Sequence, residues 1–181
     1  IYGIDISTSI IGLAELNEDG SLARSEYLDL RKIDDMMEKI ETTKLWLERL
    51  DIFSTGGNTY FVEERLGNFS GGKTTMQTLM KLASFNLVVS YLLHRSDPLG
   101  NVQHLHPSTW KAALKKEGLI IPKGADKKKL TLEYVQRVQP DFKVDLNRNE
   151  NPQPWNYDRA DGYCLARAGY IKCFAAENSR R

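Results

Sequence analysis

The stretch IYGIDISTSIIGLAEL (residues 1–16) decides how the chain begins to fold. Its apolar residues predict two strands, over residues 1–7 and 10–16, and NEDG (residues 17–20) has the composition of a hairpin turn. Asp5 interrupts the apolar pattern of the first strand. Because a buried carboxylate without a partner is costly, Asp5 needs something nearby that offsets its charge.

The rest of the sequence alternates between helix-like and strand-like segments. It predicts further strands over residues 22–29, 59–63 and 101–106, and helices over residues 34–50, 74–94, 108–116, 126–138 and 158–176. Three early strands joined by tight turns, followed by alternating helices and strands, indicate an α/β fold with a mixed five-stranded sheet and helices on both faces. The length of 181 residues predicts a single domain over residues 1–181.

Composition narrows the class of protein. Hydrophobic residues make up 41% of the chain and charged residues 27%, which is ordinary for a globular protein. No apolar run is long enough to span a bilayer, so we expect no membrane partner. Cys164 and Cys173 fall in one predicted helix, ~13 Å apart by the helical rise, which is too far for a disulfide. We therefore expect a reducing, intracellular compartment, which leaves an organelle or a virus-infected cell open.

Charge is spread unevenly, although the net charge is only +1. Residues 1–51 have six more acidic than basic side chains, whereas residues 107–139 have five more basic than acidic ones. This asymmetry is typical of a protein that binds a polyanion on one side, but a surface whose charges merely cluster explains it equally well.

The predicted helix over residues 74–94 is apolar on nearly all sides. A helix of this kind is buried on more than one face. One face would pack on the sheet, and the other predicts a homodimer built through this helix.

Several carboxylates stand where the predicted sheet can bring them together. Asp5 lies in the first strand, Glu63 and Glu64 end the fourth, and Asp158 and Asp161 share one face of the last helix. If the first and fourth strands are neighbours, these side chains converge, and their repulsion favours a hard divalent cation such as Mg²⁺ or Mn²⁺. Each has a simpler explanation, either solvation at a strand end or a favourable place near a helix N-terminus, but Asp5 fits such explanations least well.

Three segments carry a family resemblance. IYGIDISTSIIGLAEL, FVEERL and YDRADGYCLARAGY resemble, in order and spacing, the three acidic motifs of RuvC-type Holliday-junction resolvases, which have the ribonuclease H-like fold. The resemblance implies that Asp5, Glu63, Asp158 and Asp161 are catalytic metal ligands for two Mg²⁺ (or Mn²⁺) ions. Strand alternation lets only one of Glu63 and Glu64 face the metals, and the motif match selects Glu63.

The resemblance also implies roles for basic and apolar residues. HPSTWKAAL and GADKKKLTLEYV resemble two lysine-bearing segments of the family, which implies a functional Lys111 and a catalytic lysine at Lys127 or Lys128. Family members commonly have a bulky apolar residue after the glutamate motif that acts at the junction centre, and here either Leu66 or Phe69 takes that place. We expect the flanking DNA backbone to contact basic residues on both sides of the site, namely Lys111, Lys115, Lys116, Lys123, Lys73 and Arg65.

The segment GNFSGGKT (Gly67–Thr74) supports a rival interpretation, because it matches the P-loop pattern of nucleotide-binding proteins. The preceding strand, however, ends in charged residues, and no later apolar strand ends in the aspartate that a P-loop Mg²⁺ requires. The glycines and lysine would still suit a phosphate, which we assign to DNA.

The sequence thus predicts a metal-dependent endodeoxyribonuclease that cuts four-way junctions with paired symmetric nicks. Three alternatives remain: a P-loop-type NTPase, a ribonuclease H-like nuclease of other specificity, and a non-catalytic junction-binding module. Two tryptophans are further candidates for base stacking: Trp110, at a position typical of a core residue, and Trp155, in a polar loop beside Asp158.

Overall fold

The computed structural model describes residues 1–54, 56–64 and 75–178, with the backbone alone for residues 175–178. Its strands are β1 (Tyr2–Asp5), β2 (Ile10–Leu16), β3 (Leu22–Asp29), β4 (Thr59–Glu63) and β5 (Asn101–Leu105). Its helices are α1 (Met36–Arg49), α2 (Met76–Ser96), α3 (Pro107–Lys115), α4 (Lys127–Val138) and α5 (Trp155–Asn178). The predicted order of helices and strands is confirmed.

The five strands form one mixed sheet in the order β3-β2-β1-β4-β5. β1 pairs with β2, and β2 with β3, in antiparallel fashion, whereas β1 with β4 and β4 with β5 are parallel. The first and fourth strands are therefore neighbours, as the carboxylate prediction requires. β1 and β4 end at the same edge of the sheet because they run in the same direction.

Alternating residues of the central strands supply two hydrophobic clusters, one on each face of the sheet. Tyr2 and Ile4 of β1 pack in the cluster that α1 and α2 cover. Phe61 of β4 packs in the other cluster, which α3, α4 and α5 cover. The prediction of helices on both faces is confirmed.

The long helix α5 crosses the sheet at very short range, and two glycines make this possible. A Cβ atom at Gly3 would lie 2.1 Å from the backbone oxygen of Gly162, and one at Gly12 would lie 1.9 Å from that of Asp158. Both distances are far below van der Waals contact. Gly3 and Gly12 therefore let the backbone of α5 rest directly on β1 and β2.

Helix α2 is buried on one face only. Phe85, Val89 and Leu93 pack in the cluster beneath it, whereas Met80 and Leu87 are 64% and 69% exposed. The apolar face predicted to meet a second subunit is thus open in the single chain, and the dimer stays a prediction.

The last helix begins earlier than predicted. The expected start was Asp158, but α5 begins at Trp155, so the two aspartates lie one and two turns inside it. Cys164 and Cys173 both lie in α5 and are not joined by a disulfide, as expected. In the part of the chain that the structure describes, no helix combines the length and hydrophobicity needed to cross a membrane.

Candidate active site

The parallel pairing of β1 and β4 brings two acidic residues to one edge of the sheet. Gly3 pairs with Phe61 in register, so the next residues on the same face are Asp5 and Glu63. This is the face that α5 covers. Glu64 lies beyond the strand, and its backbone N–H donates to the carbonyl of Leu105 at 2.9 Å.

Helix α5 supplies the other two carboxylates. Asp158 and Asp161 lie three residues apart and so share one helix face. Together with Asp5 and Glu63 they line a cavity of about 460 Å³ at the carboxyl edge of the sheet. We call this cavity the carboxylate pocket. Its described lining comprises Asp5, Ser7, Ser9, Ile10, Arg31, Glu63, Lys128, Pro154, Tyr157, Asp158 and Asp161.

A network of hydrogen bonds around the buried Asn156 side chain holds the start of α5. The Asn156 side chain accepts from the backbone N–H of Asp145 at 3.1 Å. It also donates to the carbonyls of Asp145 at 2.8 Å and Gln153 at 3.0 Å. The polar loop before α5 is therefore fastened to the first helical turn, which fixes where Asp158 and Asp161 emerge.

The surroundings of the two α5 carboxylates disfavour their charged form. Burial raises the pKa of Asp161 well above its ordinary value, and the negative charges of Asp5 and Glu63 raise it further. Burial likewise raises the pKa of Asp158, while Lys128 opposes this effect with its ammonium nitrogen 3.6 Å from an Asp158 oxygen. Among the described residues of the lining, four carboxylates thus face two cationic side chains, Arg31 and Lys128.

Glu63 has a partner that the sequence did not reveal. The indole N–H of Trp110 donates to a Glu63 carboxylate oxygen at 3.0 Å. Trp110 is buried, as predicted for a core residue, and its indole thereby restrains the carboxylate. The Lys111 ammonium lies 4.7 Å from the centre of the Trp110 ring, a cation–π contact.

The predicted lysines divide into groups. Lys128 lines the carboxylate pocket, whereas Lys127 lines a second cavity of about 360 Å³ with Lys111 and Lys115. Lys116, which caps the end of α3, and Lys123, in the segment that follows, are both exposed. Four further predicted DNA contacts, and the P-loop-like segment, lie outside the described residues: Arg65, Leu66, Phe69, Lys73 and residues 67–74.

Sequence reasoning missed Arg31, which also lines the carboxylate pocket. It lies two residues after β3, and the signal that could have revealed it is Asp29-Leu30-Arg31 at a strand end. Trp155, considered as a base-stacking residue, instead stacks on Tyr27, with ring centres 4.8 Å apart and planes 8° from parallel.

The donor atoms of the pocket suit a hard divalent cation. All four carboxylates present oxygen, the ligand atom that Mg²⁺ and Mn²⁺ prefer, and their crowding leaves negative charge to be neutralised. Among the described residues, no three acidic, His or Cys side chains already stand in a metal-ligating group. The chemistry of the four carboxylates thus fits a metal, although the side chains would have to draw closer around it.

Solved structures of other proteins share this fold. RuvC of Thermus thermophilus, in complex with a Holliday junction substrate, is 16% identical, with a TM-score of 0.65 over 96% of this chain and 94% of that one. The yeast mitochondrial Holliday junction resolvase Ydc2 is 14% identical, with a TM-score of 0.59 over 99% of this chain and 82% of that one. The fowlpox virus resolvase, in complex with Holliday junction DNA, is 14% identical, with a TM-score of 0.52 over 96% and 97%.

No protein-family model matches the chain, and no curated protein matches it in sequence. At 14–16% identity the structural likeness establishes the fold. The chain therefore has the α/β, ribonuclease H-like fold of RuvC and other Holliday-junction resolvases, and this expectation from the sequence is confirmed.

Proposed function

We propose that this protein is a Mg²⁺-dependent endodeoxyribonuclease that resolves four-way DNA junctions. One observation carries the proposal: carboxylates from β1, β4 and α5 line a single pocket beside Lys128. The fold supports it, because the chain is similar over nearly its whole length to junction resolvases, two of which were solved with junction DNA.

Asp5, Glu63, Asp158 and Asp161 would hold the metal ions, as the family resemblance implied. Two divalent ions, when bound, supply Lewis acidity that favours attack by water on a phosphodiester and stabilises charge on the leaving oxygen. The protein contributes the placement of the four carboxylates. The hydrogen bond from Trp110 limits the rotation of the Glu63 carboxylate, and the hydrogen-bond network around Asn156 holds the start of α5.

Lys128 would act on the phosphate itself. Its ammonium group already neutralises part of the charge on Asp158. When other cations take over that charge, the ammonium becomes available to donate to a phosphate oxygen near the cut. Between the two lysines that the sequence left open, the geometry favours Lys128, because Lys127 lines the second cavity instead.

The DNA flanking the cut would run over the basic surface of α3 and the start of α4. Lys111, Lys115 and Lys127 surround the second cavity there. Because lysine–phosphate contacts release condensed counterions, junction binding should weaken as salt rises.

A homodimer through α2 completes the proposal. Two copies joined about a two-fold axis would present two pockets to a four-way junction, which is itself approximately symmetric. The exposed apolar face that includes Met80, Leu87 and Tyr91 supports this contact. In sedimentation equilibrium, we expect the wild type to be a dimer and the Leu87→Glu variant to be a monomer. A wild type that is itself monomeric would refute the proposed dimer.

The function is tested with three labelled substrates: a four-way junction, a matched linear duplex and an RNA–DNA hybrid, each with Mg²⁺ or EDTA. We expect paired symmetric nicks in the junction alone, only with Mg²⁺, and none with Asp5→Asn. Equal cutting of all substrates would instead support a ribonuclease H-like nuclease of other specificity. Junction binding without cutting would support a non-catalytic binding module.

Two further comparisons complete the design. Glu63→Gln should abolish cutting and Glu64→Gln should not, because Glu63 lines the pocket; the reverse result would overturn the assignment of the ligand. ATP or GTP hydrolysis without DNA, lost in Lys73→Ala, would favour the NTPase alternative.

A further inference from the structure

The end of β3 lies at the same edge of the sheet as the carboxylates. β3 and β1 both run antiparallel to the intervening β2, so they point the same way. Asp5 pairs with Gly12, and Gly12 with Tyr27, which places these residues in one row across the sheet. Arg31, four residues beyond Tyr27, reaches the carboxylate pocket and lines it.

The guanidinium of Arg31 is held by a carboxylate outside that pocket lining. Its Nε donates to one Asp29 oxygen at 2.9 Å and its Nη2 to the other at 2.6 Å. The backbone N–H of Arg31 donates to the same Asp29 carboxylate at 3.0 Å. These side-chain bonds use two of the five N–H donors of a guanidinium, which leaves three for other acceptors.

An aromatic pair supports the guanidinium further. The Arg31 guanidinium carbon lies 6.0 Å from the centre of the Trp155 ring, and Trp155 stacks on Tyr27. The Trp155 indole N–H donates to Asp145 at 2.8 Å, so the ring is itself fixed. Arg31 is thus presented by β3 and by the loop before α5 together.

A purely structural role explains this arrangement poorly. An exposed Asp–Arg pair two residues apart closes a turn but contributes little to stability, because solvent screens the attraction. It does not require an aromatic support or a place in a pocket. A phosphate entering a pocket of four carboxylates, by contrast, meets strong repulsion, and a pre-oriented guanidinium that matches phosphate geometry offsets it.

We propose that Arg31 is a phosphate-binding residue of the carboxylate pocket, which takes a backbone phosphate of the DNA strand on the β3 side of the cut. The inference rests on the proposed nuclease function and extends it. Lys128 would contact the strand from α4, and Arg31 would contact it from β3. The strand is thereby fixed on two sides of the carboxylates.

The test compares Arg31→Gln, Arg31→Lys and the matched control Arg24→Gln. Arg24 lies near the other end of β3 and has its own ion pair, 2.6 Å from Glu15, so its loss removes the same charge far from the pocket. Dissociation constants for a four-way junction are measured in EDTA at several salt concentrations. Single-turnover cutting rates are then measured with Mg²⁺.

We expect Arg31→Gln to weaken junction binding roughly tenfold and to lower the salt slope by about one phosphate contact. Arg31→Lys should restore the salt slope but only part of the cutting rate, because an ammonium lacks the fork geometry. Arg24→Gln should match the wild type in both measurements. Thermal melting of each variant verifies that the fold is intact.

Failure of this inference is distinguishable from failure of the proposed function. If the wild type cuts junctions and Arg31→Gln binds and cuts like Arg24→Gln, Arg31 has only a structural role. If the wild type neither binds nor cuts branched DNA, the proposed function falls and the inference falls with it.

Discussion

Two acidic sites lie at opposite edges of the sheet, a single aspartate at one edge and four carboxylates at the other, and their surroundings differ. At the amino edge of β4, Asp97 follows α2 and is 2% exposed. Its carboxylate accepts the backbone N–H of Gly57 at 2.8 Å and of Asn58 at 3.0 Å, and the hydroxyl of Tyr60 at 2.9 Å. At the carboxyl edge, Asp161 lies among three other carboxylates.

The pKa values of Asp97 and Asp161 shift in opposite directions because their neighbours differ. Burial pushes the pKa of Asp97 upward, but the hydrogen bonds from Gly57, Asn58 and Tyr60 outweigh it and hold the pKa below its ordinary value. Burial and neighbouring carboxylates together raise the pKa of Asp161. Asp97 thus ties the loop before β4 to the end of α2, whereas the carboxylates around Asp161 suit the cationic ligand proposed above.

The largest effect expected is on cutting by Asp161→Asn. The substitution removes a proposed ligand, so the single-turnover rate should fall on the order of 10³-fold, the scale seen when one charge-stabilising group is lost. Without metal, the variant should be more stable than the wild type, because it relieves like-charge repulsion. Melting temperatures in EDTA check this, with exposed Asp141→Asn as control; a lower melting temperature for Asp161→Asn than for the wild type would contradict the proposed repulsion.

Asp97→Asn should have the opposite outcome. It disrupts a buried carboxylate that accepts three hydrogen bonds and should lower the free energy of unfolding by about 3 kcal/mol. The cutting rate of the folded fraction should stay near that of the wild type, since the sheet separates Asp97 from the pocket. Urea denaturation and cutting at low temperature measure the two quantities; a variant that is stable but inactive would contradict the assignment.

Trp110→Phe should have a smaller effect confined to the pocket. It keeps an aromatic ring in the core but loses the hydrogen bond to Glu63, so the Mg²⁺ concentration for half-maximal cutting should rise about tenfold, as for other residues that orient metal ligands. The control is Trp46→Phe, an equivalent buried change in the cluster under α1. Equal effects of the two variants would show that Trp110 acts only through packing.

The smallest effect expected is the pH dependence due to Asp97. Its pKa is lower in the folded than in the unfolded chain, so its stabilisation is fully present above the unfolded value of about 3.9 and is lost as pH falls through the folded value. The difference in unfolding free energy between wild type and Asp97→Asn should therefore shrink on acidification. Urea titrations at about pH 6 and about pH 3 test this; a difference that grows in acid would mean the sign is wrong.

Much of the pocket was predictable because it depends on strand periodicity. A two-residue repeat places Asp5 on the face opposite Ile4, and the same rule separates Glu63 from Glu64. The i, i+3 spacing placed Asp158 and Asp161 together even though the start of α5 was predicted three residues late. Predictions that rest on local spacing tolerate such errors in element boundaries.

The side chains that contact the carboxylates from distant segments were not predictable. Trp110 and Glu63 are 47 residues apart, and Tyr27 and Trp155 are separated by most of the chain. No periodicity relates such pairs, because the packing of α3 and of the loop before α5 decides them. The choice between Lys127 and Lys128 was open for the same reason, since one residue of rotation on α4 decides which cavity a lysine lines.

The sequence by itself indicated the mixed α/β fold through short-range periodicity, and it indicated the acidic residues of the pocket through carboxylates at strand and helix ends together with the family resemblance, which selected Glu63. The tertiary structure decided what surrounds those carboxylates: Lys128 beside Asp158, Trp110 on Glu63, and Arg31 at the end of β3. The physical reason lies in Gly3 and Gly12. Only when α5 rests directly on the sheet do segments more than a hundred residues apart share one pocket.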